Sequence, residues 1–176
     1  MSARSRSAAV LYAVAAGAFL LDRLTKLWVE QTLAGRPPIR LIPGVLSLSY
    51  TTNSGGAFGF GRSAPWLFAG ATIVVSAVIV VVSTRPLRPS VAVGLGLILG
   101  GALGNLTDRI ANGPGFGGAV TDFIDLHVWP VFNLADSAIV IGAIVLAVTS
   151  AFGDDERARQ PSSGRPVHPA PDEPAR

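Results

Sequence analysis

Four apolar stretches of near-uniform length, residues 8 to 28, 65 to 83, 91 to 109 and 131 to 151, restrict this chain more than any other feature. Crossing a hydrocarbon layer of about 30 Å takes about twenty helical residues, and backbone groups inside lipid must bond within their own segment. Stretches of this kind are therefore read as spanning helices. The second, PWLFAGATIVVSAVIVVVS, is rich in β-branched residues and would suit a buried strand by propensity, but its unbroken length favours a helix with Pro65 in its first turn. Composition agrees, with 49% of the 176 residues hydrophobic and 14% charged, which is not the balance of a water-soluble domain. The expected fold class is an all-α polytopic membrane protein with one domain, residues 1–152. A polar, proline-rich tail, residues 153–176, is too poor in apolar surface to order itself and is expected to be disordered.

The first 26 residues are basic and then apolar, as in a cleavable signal peptide, but the apolar run leads into a polar patch from Asp22 to Lys26 and further spans follow. A retained first helix is the better reading. Arg4, Arg6, Arg85, Arg88, Arg157 and Arg159 all fall on one side of a four-span chain, whereas the other side carries only Arg36, Arg40 and Arg62, thinly spread over a long loop. The first side, with both termini, is expected to be cytoplasmic. The loop at 29–64 contains alternating apolar and polar residues in IRLIPGVLSLSYTTN, which predicts short strands.

Several chemistries are excluded or weakened by what the chain contains. It has no cysteine, so thiolate nucleophiles and cysteine-held metals are absent. The net charge of +3 is distributed among loops and ends rather than along a stripe with aromatics, so no nucleic-acid partner is expected. His127 is the only histidine before the tail, which leaves no HExxH zinc site and a single possible base for a Ser-His-Asp triad; it is read as a loop residue. A Ser-Lys pair would need Lys26, the only lysine, which Asp22 one turn away holds protonated. The run GLGLILGGALGN has neither the Lys-Ser/Thr of a P-loop nor GxGxxG; Gly96, Gly100 and Gly104 instead recur every four residues, the spacing that lets membrane helices approach closely.

The ionisable residues of the spans converge. With the first and third helices running outward and the fourth inward, Asp22, Lys26, Asn105, Asp108, Arg109, Asn133 and Asp136 lie at one depth, beside a loop carrying Asp122, Asp125 and His127. Asn105, Asp108 and Arg109 are spaced i, i+3, i+4, and Asn133 and Asp136 i, i+3, so each set shares a helical face. Asp22 and Lys26, at i and i+4, are spaced for a local salt bridge, and Asp108 beside Arg109 suits simple pairing. Asp122 and Asp136 have no cation next to them in sequence, and too few cations exist to neutralise every carboxylate. Two carboxylates left together share one proton, the charge state of an aspartic protease, which needs no metal or cofactor. Spacing leaves ion-coupled transport and a purely structural role open beside that reading, although no duplicated halves of the kind common in transporters are visible. In TTNSGGAFGFG, residues 51 to 61, the glycines suit turns or, with the Asn53 amide, the binding of an extended peptide.

The motifs LDRLTK (21–26), TNSGGAFG (52–59), GGALGNLTDR (100–109), VTDFID (120–125) and FNLADSAIVIG (132–142) occur in the order found in lipoprotein signal peptidases, the signal peptidase II family, which the chain resembles. The resemblance implies that Asp122 and Asp136 are the catalytic pair, a choice spacing does not make over Asp108. It further implies that Asn53, Asn105, Asp108, Arg109 and Asn133 shape the site, with Asp22 and Lys26 supporting it. It implies a small extracytoplasmic β-cradle and a short amphipathic element, a location in the bacterial cytoplasmic membrane with the site near its outer face, and a monomer acting beside membrane lipid. The implied substrate is a prolipoprotein, cut just before its diacylglyceryl-cysteine. Two departures from the family pattern are Arg23, where glutamine is usual, and a longer segment between Arg109 and Asp122.

Overall fold

The computed structural model describes residues 2–55 and 65–158. Its elements are α1 (Ala3–Leu33), β1 (Ile39–Ile42), β2 (Leu46–Asn53), α2 (Pro65–Ser83), α3 (Pro89–Ala111), β3 (Val120–Asp125) and α4 (Leu134–Ala158). All four helices are long and apolar enough to cross a membrane. At 31 residues, α1 is about 45 Å long, so its last turns extend past the hydrocarbon it spans. It outruns the expected 8–28 at both ends, starting where the Ser2 hydroxyl accepts from the Ser5 amide at 3.2 Å.

The last helix starts three residues later than its apolar run suggests. Phe132 is drawn into a bridge with Ile124, and Asn133 then caps the helix reciprocally. Its side-chain oxygen accepts from the Asp136 amide at 2.9 Å, while an Asp136 carboxylate oxygen accepts from the Asn133 amide at 3.3 Å, a capping-box arrangement. At the other end α4 continues to Ala158, so residues 153–158, assigned above to a disordered tail, extend the helix instead. The remainder of that tail, 159–176, lies outside the described residues, as do residues 56–64 of the glycine-rich loop.

Helix α3 is central and packs along both α1 and α4, with α2 leaning mainly on α3. Glycines make this possible on two faces, of which the four-residue repeat showed one. Toward α1, a Cβ on Gly96 would come within 2.6 Å of the Leu11 carbonyl oxygen, and one on Gly100 would press on the Ala15 carbonyl. Toward α4, a Cβ on Gly101 would meet the Ala135 carbonyl, and one on Gly142 would lie 2.6 Å from the Gly94 carbonyl oxygen. Gly100→Ala is therefore expected to destabilise the protein by about 1–3 kcal/mol, the usual cost of overpacking. Gly17→Ala is the control, since nothing lies within 4 Å of the added methyl. Thermal unfolding of the two variants in one detergent checks this, and equal midpoints would refute the close approach.

Beyond α1 the strands form an antiparallel sheet in the order β1-β2-β3. β3 comes from the segment before α4, which the alternation in 29–64 did not reveal. The outer end of α1 docks on it through Val29 and Leu33 against Phe123, while Leu11, Ala15, Ile79, Ala92 and Leu99 form a separate core within the bundle.

Candidate active site

On α1, Lys26 lies one turn from Asp22 and pairs with its carboxylate at 2.9 Å. The same ammonium reaches α3, where it lies 2.9 Å from Asp108 and donates to the Asn105 side-chain oxygen at 3.0 Å. Arg23 binds the other Asp108 oxygen. Asp22, Lys26 and Asp108 are almost wholly buried, and charges removed from water persist only when paired and hydrogen-bonded. Two acids and two bases balance here. The remaining acceptors are used as well: Asp22 takes the Ala135 amide at the start of α4 at 2.9 Å, and Asp108 takes the Thr121 amide of β3 at 3.2 Å. The cluster thus binds α1, α3, α4 and β3 together.

Two details differ from simple expectation. Asp108 is paired with Lys26 and Arg23 rather than with its neighbour Arg109, because successive helical residues point about 100° apart. Arg23, which the sequence puts near the membrane edge, turns inward, with its side chain 19% exposed. Arg109 points toward the loops: it donates to the carbonyls of Gly55 at 2.8 Å and Gly118 at 3.3 Å, and its guanidinium stands 5.5 Å from the centre of the Phe68 ring, within cation–π range.

Asp122 and Asp136 are held differently, by amides rather than by cations. Asp122 accepts from the side-chain amides of Asn133 at 2.7 Å and Asn53 at 3.1 Å. The Asn53 contact crosses the β2–β3 ladder, where Asn53 is opposite Val120 and Thr51 opposite Asp122. Asp136 accepts from the Asn105 amide at 2.8 Å. Asn133 therefore touches both carboxylates, one through its side chain and one through its backbone. Among the described residues neither acid forms a salt bridge. Burial, and next the charge of Asp136, push the Asp122 carboxyl up to about 6, against the pull of the Asn53 and Asn133 amides and the Lys26 charge.

Both acids line one cavity of about 480 Å³, together with Asn53, Asn105 and Arg109. The rest of its wall is largely apolar, with Phe68 and Val75 from α2, Ile98 and Ala102 from α3, and Ile139 and Val140 from α4. Asp22, Lys26 and Asp108 lie behind it, and His127 is to one side, its ring bonded to Ser47 at 3.0 Å. No three His, Cys, Asp or Glu residues among those described are grouped as metal ligands. Sequence reasoning did not single out Phe68, Gly55, Thr121 or Glu30. Only the polarity of Glu30 near the end of an apolar helix hinted at any of them.

Fold and site together define an integral membrane protein with an acid–base centre at one end of its helical bundle. The family model for signal peptidase (SPase) II matches residues 14–152. The lipoprotein signal peptidase of Streptomyces coelicolor is 48% identical over 154 residues, 85% of this chain and 74% of that one. That of Syntrophomonas wolfei is 47% identical over 130 residues, 73% of this chain and 84% of that one. A bacterial membrane enzyme solved by the in meso method at 2.3 Å superposes with a TM-score of 0.71 and 26% identity, covering 88% of this chain and 94% of that one. The chain belongs to the signal peptidase II family, and is accordingly a multi-pass bacterial inner-membrane endopeptidase of the aspartic class.

Proposed function

We propose that the protein removes the signal peptide from diacylglyceryl-modified prolipoproteins by cutting before the lipidated cysteine, with Asp122 and Asp136 as the catalytic pair. The observation that carries this reading is that these two carboxylates, free of cations, are bridged by Asn133 at the polar end of an otherwise apolar cavity. In this mechanism ionised Asp136 takes a proton from water, which attacks the scissile carbonyl. Asp122, in its protonated form, polarises the carbonyl oxygen and then assists departure of the amine. The apolar wall receives the signal helix, and the diacylglyceryl group stays in lipid, so the cleavage point comes to lie at the bilayer surface. Positive-inside counting puts the pair on the outer side and both termini in the cytoplasm.

The test uses purified protein with a diacylglyceryl-modified precursor beside the same precursor unmodified, analysed by mass spectrometry. Only the modified form should be cut, and the new amino terminus should be the lipid-bearing cysteine. Equal cleavage of both would refute lipid recognition, and cleavage of neither would refute the substrate assignment.

The pH profile follows from the same assignment. A carboxyl raised to about 6 keeps its proton below that pH and loses it above, so the acid form of Asp122 is depleted as pH rises. In the free enzyme kcat/KM is expected to decline on the alkaline side with an apparent pKa near 6, approaching tenfold per pH unit. An alkaline limb confined to pH above 9 would show that another group is the acid.

A further inference from the structure

Thr121, immediately before Asp122, is anchored by three different elements. Its amide donates to Asp108 of α3 at 3.2 Å, its carbonyl accepts from Asn133 at 3.3 Å, and its hydroxyl donates to the Glu30 carboxylate of α1 at 2.7 Å. Its side chain is fully buried. Alternation along a strand puts Thr121 and Phe123 on one face and Asp122 on the other. The first face is fastened to α1, by Glu30 on Thr121 and by Val29 and Leu33 on Phe123. The second face presents Asp122 to the cavity.

Strand pairing does not hold Asp122 rigidly by itself. The β2–β3 register shifts between Leu48 and Thr51, next to the position opposite Asp122, and a ladder interrupted there leaves its neighbours less constrained. The opposite edge of β3 is held only by the bridge from Ile124 to Phe132. A carboxylate displaced by a fraction of an ångström loses much of its effect on a reacting bond.

We propose that Glu30 and Thr121 are positioning residues for Asp122. The α1 face that carries Lys26 reaches one turn further to Glu30 and, through the Thr121 hydroxyl, fixes the direction in which Asp122 points. The proposal rests on the catalytic role given to Asp122 above.

The test compares Glu30→Ala, Glu30→Gln, Thr121→Val, Thr121→Ser and the double variant Glu30→Ala/Thr121→Val, using the lipidated precursor, with Asp122→Asn alongside. Glu30→Ala and Thr121→Val are each expected to lower kcat about tenfold with KM within about twofold, because aim is lost and substrate contact is kept. The double variant should be no worse than either single, since both delete one contact. Glu30→Gln, which keeps the acceptor, and Thr121→Ser, which keeps the donor, should recover kcat to within about threefold of wild type. Wild-type kcat in Glu30→Ala beside an inactive Asp122→Asn would overturn this inference and leave the dyad intact. An active Asp122→Asn would overturn both. Failure of the Gln and Ser variants to rescue, with kcat falling only as far as folded protein does, would also overturn it, because the contact would then serve stability alone.

Discussion

Asp122→Asn and Asp136→Asn are each expected to lower cleavage of a lipidated precursor by about 10²–10⁴-fold, the range general acid–base groups supply, while the protein remains folded. Either change removes a group that must hold or take a proton and alters the shape of the site very little. For Asp122→Asn the stability effects oppose one another. Ionised Asp122 costs stability above pH 6, because its carboxyl is raised to about 6 in the folded protein against 3.8 ordinarily. That cost is absent below the ordinary value and present in full once pH exceeds the raised one, so a neutral amide relieves it at pH 7. An amide, however, offers one acceptor where the carboxylate offered two, and both Asn53 and Asn133 donate there. One of those donors is left facing an NH₂ group, at a cost of about 1–3 kcal/mol. The unfolding midpoint in detergent is accordingly expected to stay within a few degrees of wild type. Wild-type turnover in either well-folded variant would remove that aspartate from the mechanism.

Lys26→Met acts on the other half of the polar cluster and should affect folding first. Methionine fills much of the lysine stem but carries no charge, and Asp22 loses its cation while buried with 0% exposure. Arg23 still serves Asp108. Removing one partner of a buried pair costs about 3–5 kcal/mol, or about 10 °C in a chain of this size at a few degrees per kcal/mol. Adding Asp22→Asn should restore part of the loss, because the asparagine oxygen can still accept the Ala135 amide that Asp22 accepts now. The destabilisations of the two single variants should therefore not sum. A Lys26→Met protein that melts with wild type would mean that the buried charges are compensated elsewhere.

The spans were legible because a bilayer sets helix length, and the depth of the polar residues followed from counting arginines at the helix ends. Partners were less legible, since spacing tells which face of a helix a residue occupies and not what lies opposite. Asp108 and Arg109 are adjacent in sequence and part company in space, one toward Lys26 and Arg23, the other toward Gly55 and Gly118. The shortage of cations in the outer half was visible in the sequence. Which carboxylates those cations reach depends on Arg23 turning inward, a side-chain path that no periodicity encodes. The start of α4 was misjudged for a related reason: hydropathy alone extended the helix back to 131, whereas Phe132 is used by the sheet and Asn133 by the cap. Thr121 and Glu30 escaped notice because their meeting requires strand β3 to fold back against a helix some ninety residues earlier in the chain.

The Asp22 carboxylate that steadies Lys26 also takes the Ala135 amide, so the earliest and latest membrane segments to leave the ribosome are fastened to each other at the reaction centre. A nascent chain that has delivered only three segments has Asp122 without Asp136 and without the Asn133 side chain that orients both. Hydrolytic competence therefore arrives with the final segment, and an unfinished enzyme is harmless to the proteins being inserted around it.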